Sequence, residues 1–461
     1  MYKIKIERRP DLEQLSFTQL FDELRHLPGA SYLASGSSNH PDAKYNIIVA
    51  SPTARIEQDA QGNNWIINDI EKVLRKEDLF SIVNAESQKL FGNHKKPSSS
   101  LPFLIGALGF SGYDVGKTLE RLPSLAEHDY SAPVASVGLY HWSLIQELKT
   151  NHVYLCYSSK YSQPDIQSFR DANKANVTFK LSTKWRSNMT QSEYLEKFQR
   201  VQDYLVAGDS YQVNLAQRFT ASFEGDHFSA FESLLVSNDA PFSAYICGEH
   251  YSIASCSPER FLSVKDNQVQ TKPIKGTRPK QSTPLANEAM IKELKNSAKD
   301  RAENLMIVDL LRNDLSKSCL PHTVKVDALF DIESFPAVHH LVSTISATLS
   351  DGKSSLDLLK GAFPGGSITG APKIRSMEII DELEPNTRHV YCGSVFYSGI
   401  RGDMDSNICI RTLLFENGKV HCWAGGGIVA DSQGQLEYEE TLHKVDKILP
   451  ILSKLGEELV A

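Results

Sequence analysis

The sequence predicts an α+β fold, a large layered sandwich of mostly antiparallel sheets flanked by helices. Runs of β-forming residues bounded by turn residues follow one another without the regular strand–helix alternation of a Rossmann or TIM architecture. The 461 residues exceed the roughly 250–300 that one hydrophobic core usually serves, which points to two lobes or one unusually large layered domain. Hydrophobic residues at 41% and charged residues at 23% are the balance of a chain folded along its length.

Leu12, Leu15, Leu20, Phe21 and Leu24 recur at helical spacing and predict a helix from Asp11 to about Pro28. Extended apolar stretches follow at Ala30–Ala34, Tyr45–Ala50, Asn64–Ile67, Val134–Leu144 and His152–Tyr157. Residues 161–188 turn polar and lose periodicity, so they are expected to link an amino-terminal region, 1–160, to a second region, 189–455. There Ser192 stands before a helical pattern ending at Gly208, and a strand is expected at Tyr211–Phe219. A single long helix is expected from Asn287 to about Leu315. Strands at Cys392–Ile400, Ile408–Phe415 and Lys419–Ala424 precede a closing helix, Leu436–Leu452.

The net charge of -7 and the scatter of the basic residues argue against nucleic acid and against an anionic membrane as partners. The first ten residues lack an apolar signal core, and no stretch approaches the roughly 20 apolar residues of a membrane span, so a cytoplasmic location is expected. Seven scattered cysteines contain no C-x-x-C pair and read as small buried residues of a reduced protein.

Four segments carry the chemistry: Ser257-Pro258-Glu259-Arg260, Lys272–Arg278, the Gly-rich Pro364–Lys373, and Ala424–Ile428 with Glu437-Tyr438-Glu439-Glu440. Each alone has an ordinary structural explanation, a turn or a solvated helix face. Glu303–Asp309, Arg312–Asp314, Val338–Ser343, Gly402–Asp405 and Ile410–Thr412 extend the set. Together, in this order, they resemble the chorismate-utilising enzymes from about residue 190 to 450. That family includes anthranilate synthase component I, aminodeoxychorismate synthase component I, isochorismate synthase and salicylate synthase. The resemblance implies an anthranilate synthase component I-like fold of two intertwined lobes, 189–455 being the chorismate-binding catalytic region.

Chorismate is a small dianion that must lose a ring hydroxyl, so its site needs a cation, anion-directed donors and a proton source. The resemblance assigns Mg²⁺ to Glu303, Glu437 and Glu440, the last two one helical turn apart. It assigns the substrate's carboxylates to Gly425, Gly426 and Gly427, with Arg411 and Tyr391, and completes the pocket with Gly276, Thr277, Ser367 and Thr369. Glu259 matches the general acid and His340 the family histidine near the reacting ring, while His339 has no match.

Lys275 discriminates within the family. Anthranilate synthases place alanine there, whereas aminodeoxychorismate synthases place lysine, a nucleophile when neutral. The resemblance thus implies attack by Lys275 on ring C2, loss of the C4 hydroxyl, and displacement by ammonia at C4, a reaction that leads to p-aminobenzoate and folate. Isochorismate and salicylate synthases carry a water-activating lysine where this chain has Gln212, which is no base. No cysteine lies in a Gly-x-Cys-x-Gly glutaminase context, so a separate glutaminase subunit is the expected ammonia source. Ser35, Asp42, Ala43, Lys44, Tyr45, Pro241, Phe242 and Ser243 fall where the amination branch has a tryptophan pocket, which makes bound tryptophan a further expectation. The rival readings are anthranilate synthase component I and a non-catalytic effector-binding homologue.

Overall fold

The computed structural model describes residues 1–36, 40–171, 177–334 and 338–455. Its strands gather into two large sheets, and every strand pair in them is antiparallel. The first sheet runs Ile4–Arg8, His152–Ser158, Trp142–Glu147, Tyr45–Val49, Ser31–Ala34, Phe242–Cys247, Tyr251–Ser257, Thr412–Glu416, Lys419–Ile428, Gln212–Glu224 and Lys180–Leu181. The second runs Ile274–Pro279, Val338–Thr348, Gln268–Thr271, Arg260–Lys265, Met404–Asn407, Ser394–Gly399, Gly106–Ser111, Ala135–Tyr140, Ala54–Gln58, Asn64–Ile67 and Lys72–Arg75. Residues before and after 161–188 therefore contribute strands to both sheets.

Side-chain alternation builds two cores from the first sheet. Leu413 and Phe415 face the helices Phe17–Leu24, His227–Asn238 and Leu449–Lys454, whereas Leu414 and Trp423 join Ile56, Val137 and Leu262 of the second sheet. Both faces are buried, so the strands read as continuous apolar runs.

Several boundaries differ from the expected ones. Ser16 and Gln19 form a reciprocal capping box, so the first helix is only Phe17–Leu24. Thr190, not Ser192, caps Gln191–Ala207 through the same device with Glu193, and Gly208 closes it at φ 81°. The long helix is two, Pro284–Asn296 and Ala298–Ser316, because Ser297 leaves helical geometry and accepts the N–H of Asp300. The stretch Val134–Leu144 crosses between sheets, Ala135–Tyr140 in one and Trp142–Glu147 in the other. The closing helix breaks into Gly434–Lys444 and Leu449–Lys454, since Pro450 in a continuous helix would clash with the preceding turn.

Candidate active site

The glycine strand Lys419–Ile428 lies between Gln212–Glu224 on one side and Thr412–Glu416 on the other, but the latter pairs with it only as far as Cys422. Among the described residues, one edge of 425–427 thus has no strand partner. A Cβ on Gly425 would stand 2.8 Å from the Leu215 carbonyl oxygen, a backbone clash, whereas at the next two glycines it would press on the ends of side chains. A Cβ on Gly426 would stand 3.0 Å from Glu437 Oε2, and one on Gly427 2.7 Å from Gln212 Nε2. The helix Gly434–Lys444 packs on this strand and delivers Glu437 and Glu440 beside it.

The helix Ala298–Ser316 approaches from the second sheet and carries Glu303. Lys299 Nζ stands 4.0 Å from Glu303 Oε1 and 3.9 Å from Glu437 Oε1, a counter-ion shared between the two helices. Burial pushes the carboxyls of Glu303 and Glu437 above their ordinary range, and negative neighbours add to it. Burial also raises Glu440, but Lys444, 2.6 Å from it, outweighs that and holds it below. Among the described residues no three His, Cys, Asp or Glu side chains stand close enough to enclose a metal ion.

Lys275 lies on the edge strand Ile274–Pro279, where its Nζ donates to the Ser367 carbonyl at 3.2 Å. The Ser367 hydroxyl donates to Glu259 Oε1 at 3.1 Å, so one residue of the turn Gly366–Ile368 holds both groups. Burial pushes Glu259 up to about 7, against the pull of Lys275 and Ser367. Burial likewise lowers the Lys275 amine, against Glu303 and Glu259. Desolvation thus favours neutral forms of both.

Gly276 adopts φ 74°, and a Cβ there would stand 2.8 Å from Asp300 Cγ and from Leu294 Cδ1. Thr277 Oγ1 lies 2.8 Å from His340 Nδ1, and burial, reinforced by Arg411, brings His340 down to about 4, neutral near pH 7. His339 bonds Ser334 and Asn287. Thr369 is fully buried and donates to the Gly365 carbonyl, bracing the turn.

Tyr391 and Arg411 occupy loops ahead of strands rather than the strands themselves. Tyr391 stacks on Trp423 with planes 4° apart. Arg411 is held at φ 52°, and its guanidinium has no hydrogen-bond partner among the described residues. Burial lowers its pKa, as expected of a desolvated cation without a carboxylate on it.

A separate cavity of about 250 Å³ is lined by Ser35, Asp42, Lys44, Tyr45, Pro241, Phe242 and Ser243, whereas Ala43 is buried and does not line it. Arg260 spans it, bonding Asp405 through two nitrogens at 2.9 Å and Asp42 at 2.9 Å. Sequence reasoning missed Arg260 and Asp405 here, and Lys299 and Lys444 at the carboxylates. The Lys299–Glu303 and Glu440–Lys444 spacings of four residues were the available signal for the last two.

Two sheets that converge on a glycine cradle, an acidic cluster and a desolvated lysine define an enzyme site for a small anionic substrate. Residues 32–450 match the family model for the chorismate binding enzyme, and the chain belongs to that family. It is 46% identical to aminodeoxychorismate synthase component 1 of Escherichia coli, over 94% of this chain and 95% of that one. It is 45% identical to the same protein of Salmonella typhimurium, over 97% of each. Anthranilate synthase component I from Streptococcus pneumoniae superimposes with a TM-score of 0.76 at 28% identity, covering 89% of this chain and 93% of that one. The antiparallel two-sheet architecture is that of anthranilate synthase component I.

Proposed function

We propose that this chain aminates chorismate at C4, with ammonia as nucleophile, to give 4-amino-4-deoxychorismate for p-aminobenzoate and folate synthesis. The observation that carries the reading is Lys275. It stands in the position that distinguishes this reaction from anthranilate synthesis, its amine is lowered by burial, and it shares Ser367 with Glu259. The names of its relatives from Escherichia coli and Salmonella typhimurium support the same activity.

In this mechanism Arg411, the Tyr391 hydroxyl and the N–H groups of Gly425 and Gly427, which face away from the neighbouring strand, hold the carboxylates. Neutral Lys275 adds to ring C2, the two ring double bonds shift, and the C4 hydroxyl departs as water with the proton of Glu259. Ammonia then bonds to C4, the double bonds shift back, and the C2–N bond to Lys275 breaks. Lys275 leaves as the neutral amine, and the ammonium at C4 releases a proton that restores Glu259. His340, neutral near pH 7, borders the ring without adding charge. Gln212 presents a buried carboxamide with no hydrogen-bond partner among the described residues and no basic group to activate water.

Glu303, Glu437 and Glu440 would hold Mg²⁺. The set is all hard oxygen, and Lys299 already serves Glu303 and Glu437 as a shared cation, so the residues fit an ion that keeps most of its waters. An ion held by these three residues would supply positive charge against a substrate carboxylate. A glutaminase subunit supplies ammonia. Burial pushes the thiols of Cys156, Cys256, Cys392 and Cys422 up to about 12, which leaves them unfit to attack glutamine. The cavity around Ser35 and Pro241 takes tryptophan.

The reading is tested by mixing the protein with chorismate and Mg²⁺ without ammonia, denaturing it rapidly, and mapping its tryptic peptides by mass. A chorismate-derived mass on the peptide containing Lys275 is expected. An unmodified peptide, together with full activity of Lys275→Ala, removes the lysine from the mechanism.

A further inference from the structure

We infer that the buried pair Arg388–Glu384 is a positioning device that fixes the distance between the glycine cradle and the Ser367 turn; this rests on the chorismate reading of the site. Arg388 is 1% exposed and touches no surface. It bonds Glu384 through Nε at 2.9 Å and Nη2 at 2.6 Å. Its Nη1 donates to the Ile368 carbonyl at 2.9 Å, and Nη2 also reaches the Asn214 carbonyl at 3.0 Å and the Asn214 side-chain Oδ1 at 3.2 Å, the bond a shorter side chain at 214 would remove. Glu384 Oε1 in turn accepts the Ala216 N–H at 2.8 Å.

These contacts fall at particular places. Asn214 and Ala216 are the residues in register with Gly427 and Gly425. Their backbone groups bonded here point away from the glycine strand, toward the gap between Gly370–Ala371, which pairs with 212–213, and Arg186–Ser187, which pairs with 219–220. Two side chains stand where a neighbouring strand would continue the ladder. Ile368 follows Ser367, whose carbonyl and hydroxyl hold Lys275 and Glu259. The guanidinium also lies 5.7 Å from the ring centre of Tyr391. One ion pair thus joins the segment behind the cradle, the turn behind the lysine and general acid, and the ring of a carboxylate donor.

Stability is a poor explanation for it, because desolvating two charges commonly costs as much as their attraction returns. What the pair supplies is geometry. Arginine's rigid planar fork reaches three partners at fixed angles, and an ammonium cannot.

The test uses the full chain with Arg388→Lys, which keeps the charge, and Asn214→Ala, which keeps the ion pair. Chorismate kcat and KM are measured at constant free ammonia across pH, chorismate binding by calorimetry, and melting by circular dichroism. Arg388→Lys is expected to lose roughly 10- to 100-fold in kcat/KM, as ~1 Å misplacements do. Its basic pH limb moves upward, because a displaced Ser367 no longer donates to Glu259. Asn214→Ala shows a smaller loss at an unchanged melting temperature, and it serves as the deciding variant if Arg388→Lys does not fold. Kinetics and pH limb within twofold of wild type overturn the inference, as does a loss explained wholly by a smaller folded fraction. A wild-type chain that neither binds nor converts chorismate overturns the functional reading and this inference together. A working wild type matched by its variants overturns the inference alone.

Discussion

Replacing Glu259 by Gln is expected to abolish turnover and yet to stabilise the protein at alkaline pH. The carboxyl is 7% exposed, and burial raises it from 4.5 to about 7. A group whose folded pKa lies above its unfolded value contributes most below the unfolded value. That contribution is lost as pH rises from 4.5 through 7, because the fold must then hold a desolvated anion. At 1.36 kcal/mol per pH unit the loss reaches about 3 kcal/mol by pH 8 and stays below ~1 kcal/mol at pH 5. Glutamine has the same shape and no charge, so the variant escapes this cost. With unfolding entropy near 2 cal/mol/K per residue, a chain of 461 residues gains about 3 °C in Tm at pH 8. The assay is thermal or urea unfolding of both proteins at pH 5, 6, 7 and 8, with activity measured in parallel. A variant destabilised at pH 8, or a difference that does not widen with pH, would refute a raised Glu259 pKa and with it the general-acid assignment.

Glu303→Gln or Glu440→Gln is expected to remove turnover at ordinary Mg²⁺ with the circular dichroism spectrum unchanged, because each deletes a hard anionic ligand from a site that has few. Activity titrated against Mg²⁺ checks this, and wild-type metal dependence in both variants contradicts it. Gly276→Ala places a Cβ 2.8 Å from Asp300 and Leu294 at φ 74°, which should cost about 1–3 kcal/mol and displace Lys275. Urea denaturation and kcat/KM read both effects.

The candidate site was legible in sequence only as an ordered set. The segments holding Glu259, Lys275, Ser367 and the 425–427 glycines each have an ordinary structural explanation alone, and the resemblance singled them out together; in the structure Ser367 bonds both Lys275 and Glu259. The fold class was legible from β-rich runs without regular helices between them. Strand partners were not, since Gln212–Glu224 pairs with Lys419–Ile428 some two hundred residues away, and nothing local encodes that register. Helix limits were decided by single side chains, Ser16, Thr190 and Ser297, that competed with the apolar period. Arg388 was invisible because, of its bonded partners, only Glu384 lies within one helical turn in sequence, while Ile368 and Asn214 meet it through the tertiary fold.

The central claim, C4 amination governed by Lys275, is tested most directly by the product. Wild-type protein and Lys275→Ala are incubated with chorismate, Mg²⁺ and ammonium, coupled to aminodeoxychorismate lyase, and scored for p-aminobenzoate against fluorescent anthranilate. Wild type should give p-aminobenzoate, and Lys275→Ala should lose most of it, with at most a trace of anthranilate. Anthranilate as the main wild-type product, or undiminished p-aminobenzoate from Lys275→Ala, would contradict the account.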